Sequence, residues 1–152
     1  MNVLSNKEIL ALGEALDDEY KSWATYDQVI KDFGQVRPFS NIRDAEARHI
    51  AALHELFTLY ELDIPQNNWP GRVPRYAGLQ QACLDAVSAE IENGEMYERL
   101  LLATQRSDIL RVFRNLCDAS QQRHLPAFQR CAQGGGRGDC GGGRRGRGFG
   151  AR

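Results

Sequence analysis

The chain has 152 residues, 42% hydrophobic and 26% charged, with 19 Lys and Arg against 20 Asp and Glu, the profile of one soluble globular domain rather than two. It contains no run of about eighteen apolar residues, which excludes a membrane-spanning helix. The opening MNVLSNKEIL has neither the basic start nor the apolar run of a signal peptide, so a cytoplasmic protein without a membrane partner is expected.

The first predicted helix opens at Ser5, whose spacing to Glu8 makes an S-x-x-E capping box, and closes at Gly34. Pro38 stands where a helix start tolerates it, and periodic apolar residues carry a second helix to about Leu62. From Asp63 to Gly78, Pro65, Pro70, Pro74, two asparagines and Gly71 forbid regular structure. At about 3.3 Å per residue this segment can cross a bundle from end to end. A third helix is predicted from about Leu79 to Ala103, and Ser107 is placed to cap a fourth that continues to about Ala132. No strand alternation competes, so the predicted class is all-α. Residues 134–152 hold ten Gly and five Arg. That composition cannot bury enough apolar surface to fold, so a disordered tail is predicted. Residues 1–133, with fourteen basic against nineteen acidic side chains, form an acidic body.

Each predicted helix carries an apolar stripe stepping by four and three, the spacing of one face packed in a bundle. The stripes are Leu12, Leu16, Glu19, Trp23, Tyr26, Ile30 in the first helix and Ile42, Glu46, His49, Leu53, Leu56, Tyr60 in the second. The third has Cys83, Val87, Glu90, Gly94, Tyr97, Leu101; the fourth, after a one-residue slip, has Phe113, Cys117, Gln121, His124, Phe128, Cys131. Polar residues interrupt all four stripes at one level, which turns Glu19, Glu46, His49, Glu90 and His124 inward.

The two halves of the body resemble each other. The first and third helices share E-x6-Y, as Glu19 with Tyr26 and Glu90 with Tyr97. The second reads FSNIRDAEARHIAAL from Phe39 and the fourth FRNLCDASQQRHLPAF from Phe113, with Phe, Asn, Asp, Ala, His and a second Ala coinciding. The fourth is one residue longer between Ala119 and His124, so Glu46 aligns with Ser120 or with Gln121, neither a carboxylate. An extra helical residue is most easily absorbed as a π-bulge, and Pro126 cannot donate to the carbonyl of Gln122. A bulge or kink is predicted there.

Ionised carboxylates on an apolar stripe are costly unless paired, and these stripes offer no Lys or Arg. A single such glutamate would be read as protonated or as reaching solvent at a bundle end. Three acids and two histidines at one level point instead to a bound cation. Imidazole with carboxylate oxygens suits iron or manganese open to oxygen or peroxide; calcium would not use His, and structural zinc would usually take Cys. Iron is the first expectation, as one or two ions per chain. Tyr26 and Tyr97 stand where they could donate to ligands, although inward aromatics at this spacing are more often core. His54 lies one residue off its stripe and reads as a surface or interface histidine.

One Glu, then E-x-x-H, then a second Glu, then a lone His on four successive helices resembles the ferritin-like di-iron carboxylate proteins, over residues 5–132. The phrases ASQQRHLPAFQRC and FGQVRPFSNI resemble a bacterial branch labelled a domain of unknown function. The resemblance implies a ferritin-like four-helix bundle with a long crossover between the second and third helices. It further implies that Glu19, Glu46 and His49 hold one metal, that Glu90 and His124 hold another, and that Glu46 bridges. The fourth-helix bridging acid is missing, with Ser120 and Gln121 near its place. Three carboxylates against two divalent ions leave one net positive charge, which implies a first site that fills readily and a second that fills poorly.

Cys83 lies seven residues before Glu90 and Cys131 seven after His124, which places both about 10 Å from the metal level toward one end of the bundle. They could meet as a redox pair or simply fill core; with Cys117 and Cys140 they make neither a zinc pattern nor a disulfide framework. The Arg/Gly tail resembles segments that contact RNA or other polyanions, and a merely solubilising tail has equal weight. The R-G-D at 137–139 is short enough to arise by chance. The leading expectation is an iron-binding oxidase or peroxidase of ferroxidase type, its catalytic residues unassigned. A non-catalytic metal-binding or structural bundle and a polyanion-binding adaptor acting through the tail are the alternatives, and a homodimer is compatible with all three.

Overall fold

The computed structural model describes residues 3–134. The tail from 135 onward, with Cys140 and the R-G-D run, lies outside the described residues. Every regular element among the described residues is helical: α1 (Asn6–Phe33), α2 (Phe39–Leu59), α3 (Leu79–Leu100), α4 (Ser107–Ala119), a π-helical turn (Ser120–His124) and α5 (Leu125–Gln133). The last three follow without interruption and make one rod, so the fold is a bundle of four rods. The π-turn falls where the repeat has its extra residue.

Local chemistry sets most of the boundaries. Ser5 Oγ accepts from the Glu8 amide at 3.1 Å while Glu8 Oε1 accepts from the Ser5 amide at 2.9 Å, the predicted capping box; such a cap stabilises a helix by about 1 kcal/mol. Gly34, at φ +98°, ends α1. Here the left-handed backbone requires glycine. α2 stops at Leu59 rather than near Leu62, because Glu61 takes a left-handed backbone (φ 58°) and the amides of Glu61 and Leu62 close back on the Thr58 and Phe57 carbonyls. This is a Schellman ending without its usual glycine. α3 stops at Leu100, short of Ala103, where the Leu102 and Ala103 amides tighten onto the Arg99 and Leu100 carbonyls. Ser107 does not cap the fourth rod. It is the first helical residue, and neighbouring amides are taken by Thr104 Oγ1, which accepts from Arg106, and by the Asp108 carboxylate, which accepts from Ile109.

Side-chain pairs fix the direction of each rod. Tyr26 meets Glu90 and Arg99 meets Glu14, so α1 and α3 run antiparallel. Arg43 on Asp27 and His49 beside Glu19 make α1 and α2 antiparallel, and Ser120 on Glu90 with Gln80 on the Ala132 carbonyl do the same for α3 and the fourth rod. Residues 60–78 link α2 to α3, three residues longer than the crossover predicted for 63–78, and lie along α1. The Pro65 carbonyl accepts from Tyr20, Trp69 donates to Asp17 and Arg75 clamps Asp32.

The apolar core is in two parts. One cluster gathers Leu12, Leu16, Leu53, Leu56, Tyr97 and Phe113; the other gathers Tyr26, Phe39, Ile42, Cys83, Phe128 and Cys131. Between them lies the polar level. Trp23, placed on the α1 stripe by spacing, is only half-buried, and Ala24 and Val29 are buried instead. No helix among the described residues is long and apolar enough to cross a membrane.

Candidate metal centre

The polar level brings together the five side chains that the stripes turn inward. Glu19, Glu46, Glu90 and His124 are 2–3% exposed, and the His49 side chain is 13% exposed, which makes it the member of the group nearest solvent. They form two groups of three, Glu19–Glu46–His49 and Glu46–Glu90–His124, each with its donor atoms within 4.8 Å of one another. Glu46 belongs to both. Its Oε1 lies 3.1 Å from His49 Nδ1 and its Oε2 lies 3.6 Å from His124 Nδ1. Glu19 Oε1 completes the first group at 3.2 Å from His49 Nδ1, and Glu90 Oε1 the second at 3.7 Å from His124 Nδ1. The two imidazoles stack with ring centroids 5.5 Å apart.

The tyrosines of the repeat are hydrogen-bond donors to this level, each to the opposite helix. Tyr26 of α1 donates to Glu90 Oε2 at 2.7 Å, and Tyr97 of α3 donates to Glu19 Oε2 at 2.6 Å. Antiparallel packing of two helices that share E-x6-Y produces this exchange, because two turns along one helix reach the glutamate of the other. Burial and the neighbouring carboxylates push both phenols well above their usual range, so the hydroxyls stay protonated and act as donors.

In the π-turn, Ser120 takes the place that Glu46 holds in the other half. Its Oγ donates to Glu90 Oε1 at 2.5 Å, while the Gln121 amide donates to the Glu90 carbonyl and to Ser120 Oγ. The extra residue is thus accommodated beyond Ser120, and the alignment left open between Ser120 and Gln121 is decided by the direction of the side chains.

Asn93 and Asp18 belong to the level and escaped the stripe reading. Asn93 Nδ2 donates to Asp18 Oδ2 at 2.7 Å and lies 3.4 Å from Glu19 Oε2. Asn93 follows Glu90 by three residues and so shares its face, a signal that the sequence carries. Asp18 is one residue off the α1 stripe and has no such signal. His54 is half-buried beside Tyr20, whose hydroxyl lies 2.8 Å from His54 Nε2, away from the centre.

Among the described residues, no Lys or Arg forms an ion pair with Glu19, Glu46 or Glu90. Burial, then the charges of Glu19 and Glu90, push the Glu46 carboxyl well above the carboxylate range. Burial opposes ionisation of Glu19 too, but hydrogen bonds from Glu46, His49 and Tyr97 outweigh it and hold that carboxyl low. One proton shared between two carboxylates is the expected state of such a pair in the absence of a cation. Among the described residues, His124 Nδ1 is buried with no hydrogen-bond partner. An orphaned buried imidazole nitrogen facing two carboxylates fits a cation between them.

Cys83 and Cys131 do meet. They are joined as a disulfide with Cα atoms 6.0 Å apart, in the apolar cluster that also holds Tyr26 and Phe128. Cys117 is a free thiol. In comparisons with family models, curated proteins and solved structures, the chain matches none.

Proposed function

We propose that the protein is a ferritin-like metal-binding protein that holds iron, with manganese as the other candidate, in two adjoining pockets bridged by Glu46, and that it reacts with oxygen or peroxide as an oxidase or peroxidase of ferroxidase type. The observation that carries this reading is the division of Glu46 between two histidine-containing groups, with His124 Nδ1 left unpartnered. Glu19, Glu46 and His49 would hold the first ion; Glu46, Glu90 and His124 would hold the second. Iron bound there supplies the electrons for reducing an oxidant, which carboxylate and imidazole donors with open positions permit.

The rest of the chemistry belongs to the chain. Tyr97 and Tyr26 hold Glu19 and Glu90 by their outer oxygens and leave an inner oxygen of each toward a histidine. The apolar clusters above and below exclude water from the level. His49 marks the side on which a small oxidant has the shortest approach.

A test is to load the metal-free protein, its disulfide intact, anaerobically with Fe(II), add oxygen or peroxide, and follow ferric absorbance against the same Fe(II) in buffer. Oxidation faster than in buffer, slowed in His49→Ala and His124→Ala, is expected. The presence of Ser120 where the other half has a carboxylate favours one alternative, a metal-binding bundle without turnover. Tight binding with oxidation no faster than in buffer would select it.

A further inference from the structure

The two pockets are not equivalent, and the difference traces to one amide. In the first, Tyr97 and Asn93, the donors to Glu19 that are not themselves members of the group, both lie on Oε2, and Oε1 faces only His49 and Glu46 of its own group. In the second, Tyr26 holds Glu90 Oε2, and Ser120 donates to Oε1, the oxygen that faces His124. One of the two lone pairs on the oxygen that faces the cation position is therefore already taken by a hydroxyl proton.

Gln121 dictates that orientation. Its Nε2 spends one N–H on the Glu90 main-chain carbonyl at 2.6 Å and the other on Ser120 Oγ at 2.8 Å. A carbonyl oxygen only accepts, so the end of the amide that faces it is the NH2 group. With an N–H arriving at its oxygen, the Ser120 hydroxyl directs its single proton to Glu90, to Oε1 at 2.5 Å and more distantly to the main-chain carbonyl at 3.4 Å, and keeps only one free lone pair. Gly94 makes the room. A Cβ there would stand 2.5 Å from Gln121 Cδ and 2.6 Å from Nε2, which explains a glycine in mid-helix despite a cost of about 1 kcal/mol relative to Ala.

We propose that Gln121, seated on Gly94, is a positioning residue that weakens the second cation pocket by fixing Ser120 as a hydrogen-bond donor to Glu90. The inference rests on the two-pocket reading above and makes the unequal filling a property of the π-turn as well as of a missing charge.

The test is an anaerobic Co(II) titration, with visible absorption following each equivalent and Glu90→Gln identifying the one that belongs to the second pocket. Gln121→Ala and Ser120→Ala are expected to tighten that equivalent about tenfold, equal in size and opposite in sign to the smaller losses that follow removal of a supporting outer partner of a metal ligand, and to leave the first unchanged. Tightening separates positioning from mere support, since a loosened pocket would bind more weakly. Gly94→Ala is expected to lower thermal stability by its clash. The Gly94→Ala/Gln121→Ala double variant is expected to recover stability and retain the tighter second equivalent. A second equivalent unchanged or weakened in both single variants would overturn the proposal while leaving the two-pocket reading intact, as would a wild type that fills both pockets with equal affinity. No Co(II) bound by the wild type would overturn both.

Discussion

Tyr97 of α3 donates its hydroxyl proton to Glu19 of α1 at 2.6 Å, and the same bond runs the other way between Tyr26 and Glu90. Both phenols are at most 1% exposed, so removing either hydroxyl leaves a buried carboxylate oxygen short of a donor. Tyr97→Phe and Tyr26→Phe are each expected to destabilise the metal-free protein by about 1–3 kcal/mol. Urea unfolding measures it. Tyr97→Phe is further expected to perturb the first metal equivalent and Tyr26→Phe the second.

Substitution of Glu46 is expected to have opposite effects on the metal-free and the metal-loaded protein. Burial and the charges of Glu19 and Glu90 hold the Glu46 carboxyl protonated in the empty centre, so at neutral pH folding there carries the cost of a proton uptake that an amide does not need. Glu46→Gln is expected to raise the stability of the metal-free protein by about 1 kcal/mol or more while depriving both pockets of a ligand. Thermal melts with and without added metal check the opposite signs.

Asp18 supplies a pH dependence with a definite sign. Burial, together with the charges of Glu19 and Glu90, outweighs the Asn93 hydrogen bond and raises its pKa from 3.8 to about 6. A carboxyl raised in the folded state binds its proton more tightly there than in the unfolded chain. Its contribution is therefore full below about pH 4 and is lost as pH rises through about 6. Asp18→Asn is expected to flatten the fall in metal-free stability across that window, read from melting temperature against pH. A variant with an unchanged slope would contradict it.

The Cys83–Cys131 disulfide closes a separation of 48 residues. Chain-entropy arithmetic for such a loop gives about 4 kcal/mol. Cys131→Ser, or reduction of the wild type, is expected to lower stability by an amount of that order, and alkylation of the native unreduced protein is expected to label Cys117 and to spare Cys83 and Cys131.

Much of the centre was legible because its logic is periodic. Glu19, Glu46, His49, Glu90 and His124 stand on 4–3 stripes, so each had to face inward once its helix existed. The π-turn was legible from the repeat, as one extra residue before His124 followed by Pro126. Which of Ser120 and Gln121 would face Glu90 was not, because that depends on where within five residues the winding widens. The end of α2 was overrun because a glutamate, Glu61, takes the left-handed position that glycine usually marks. Ser107 does not cap α4 because it stands one residue inside the helix, and the N-cap position falls to Arg106, which makes no side-chain cap bond. Asp18 was hidden because its neighbour across the bundle, Asn93, decides its role, and that contact spans 75 residues.

The central claim is that Glu46 joins two cation pockets. An anaerobic equilibrium titration with Fe(II), counting bound metal per chain, tests it most directly. The account predicts two equivalents, the first tighter than the second, with both weakened in Glu46→Gln and only the second weakened in Glu90→Gln. Absence of saturable binding by Fe(II), and by Mn(II) in its place, or a Glu46→Gln protein that binds as the wild type does, would contradict it.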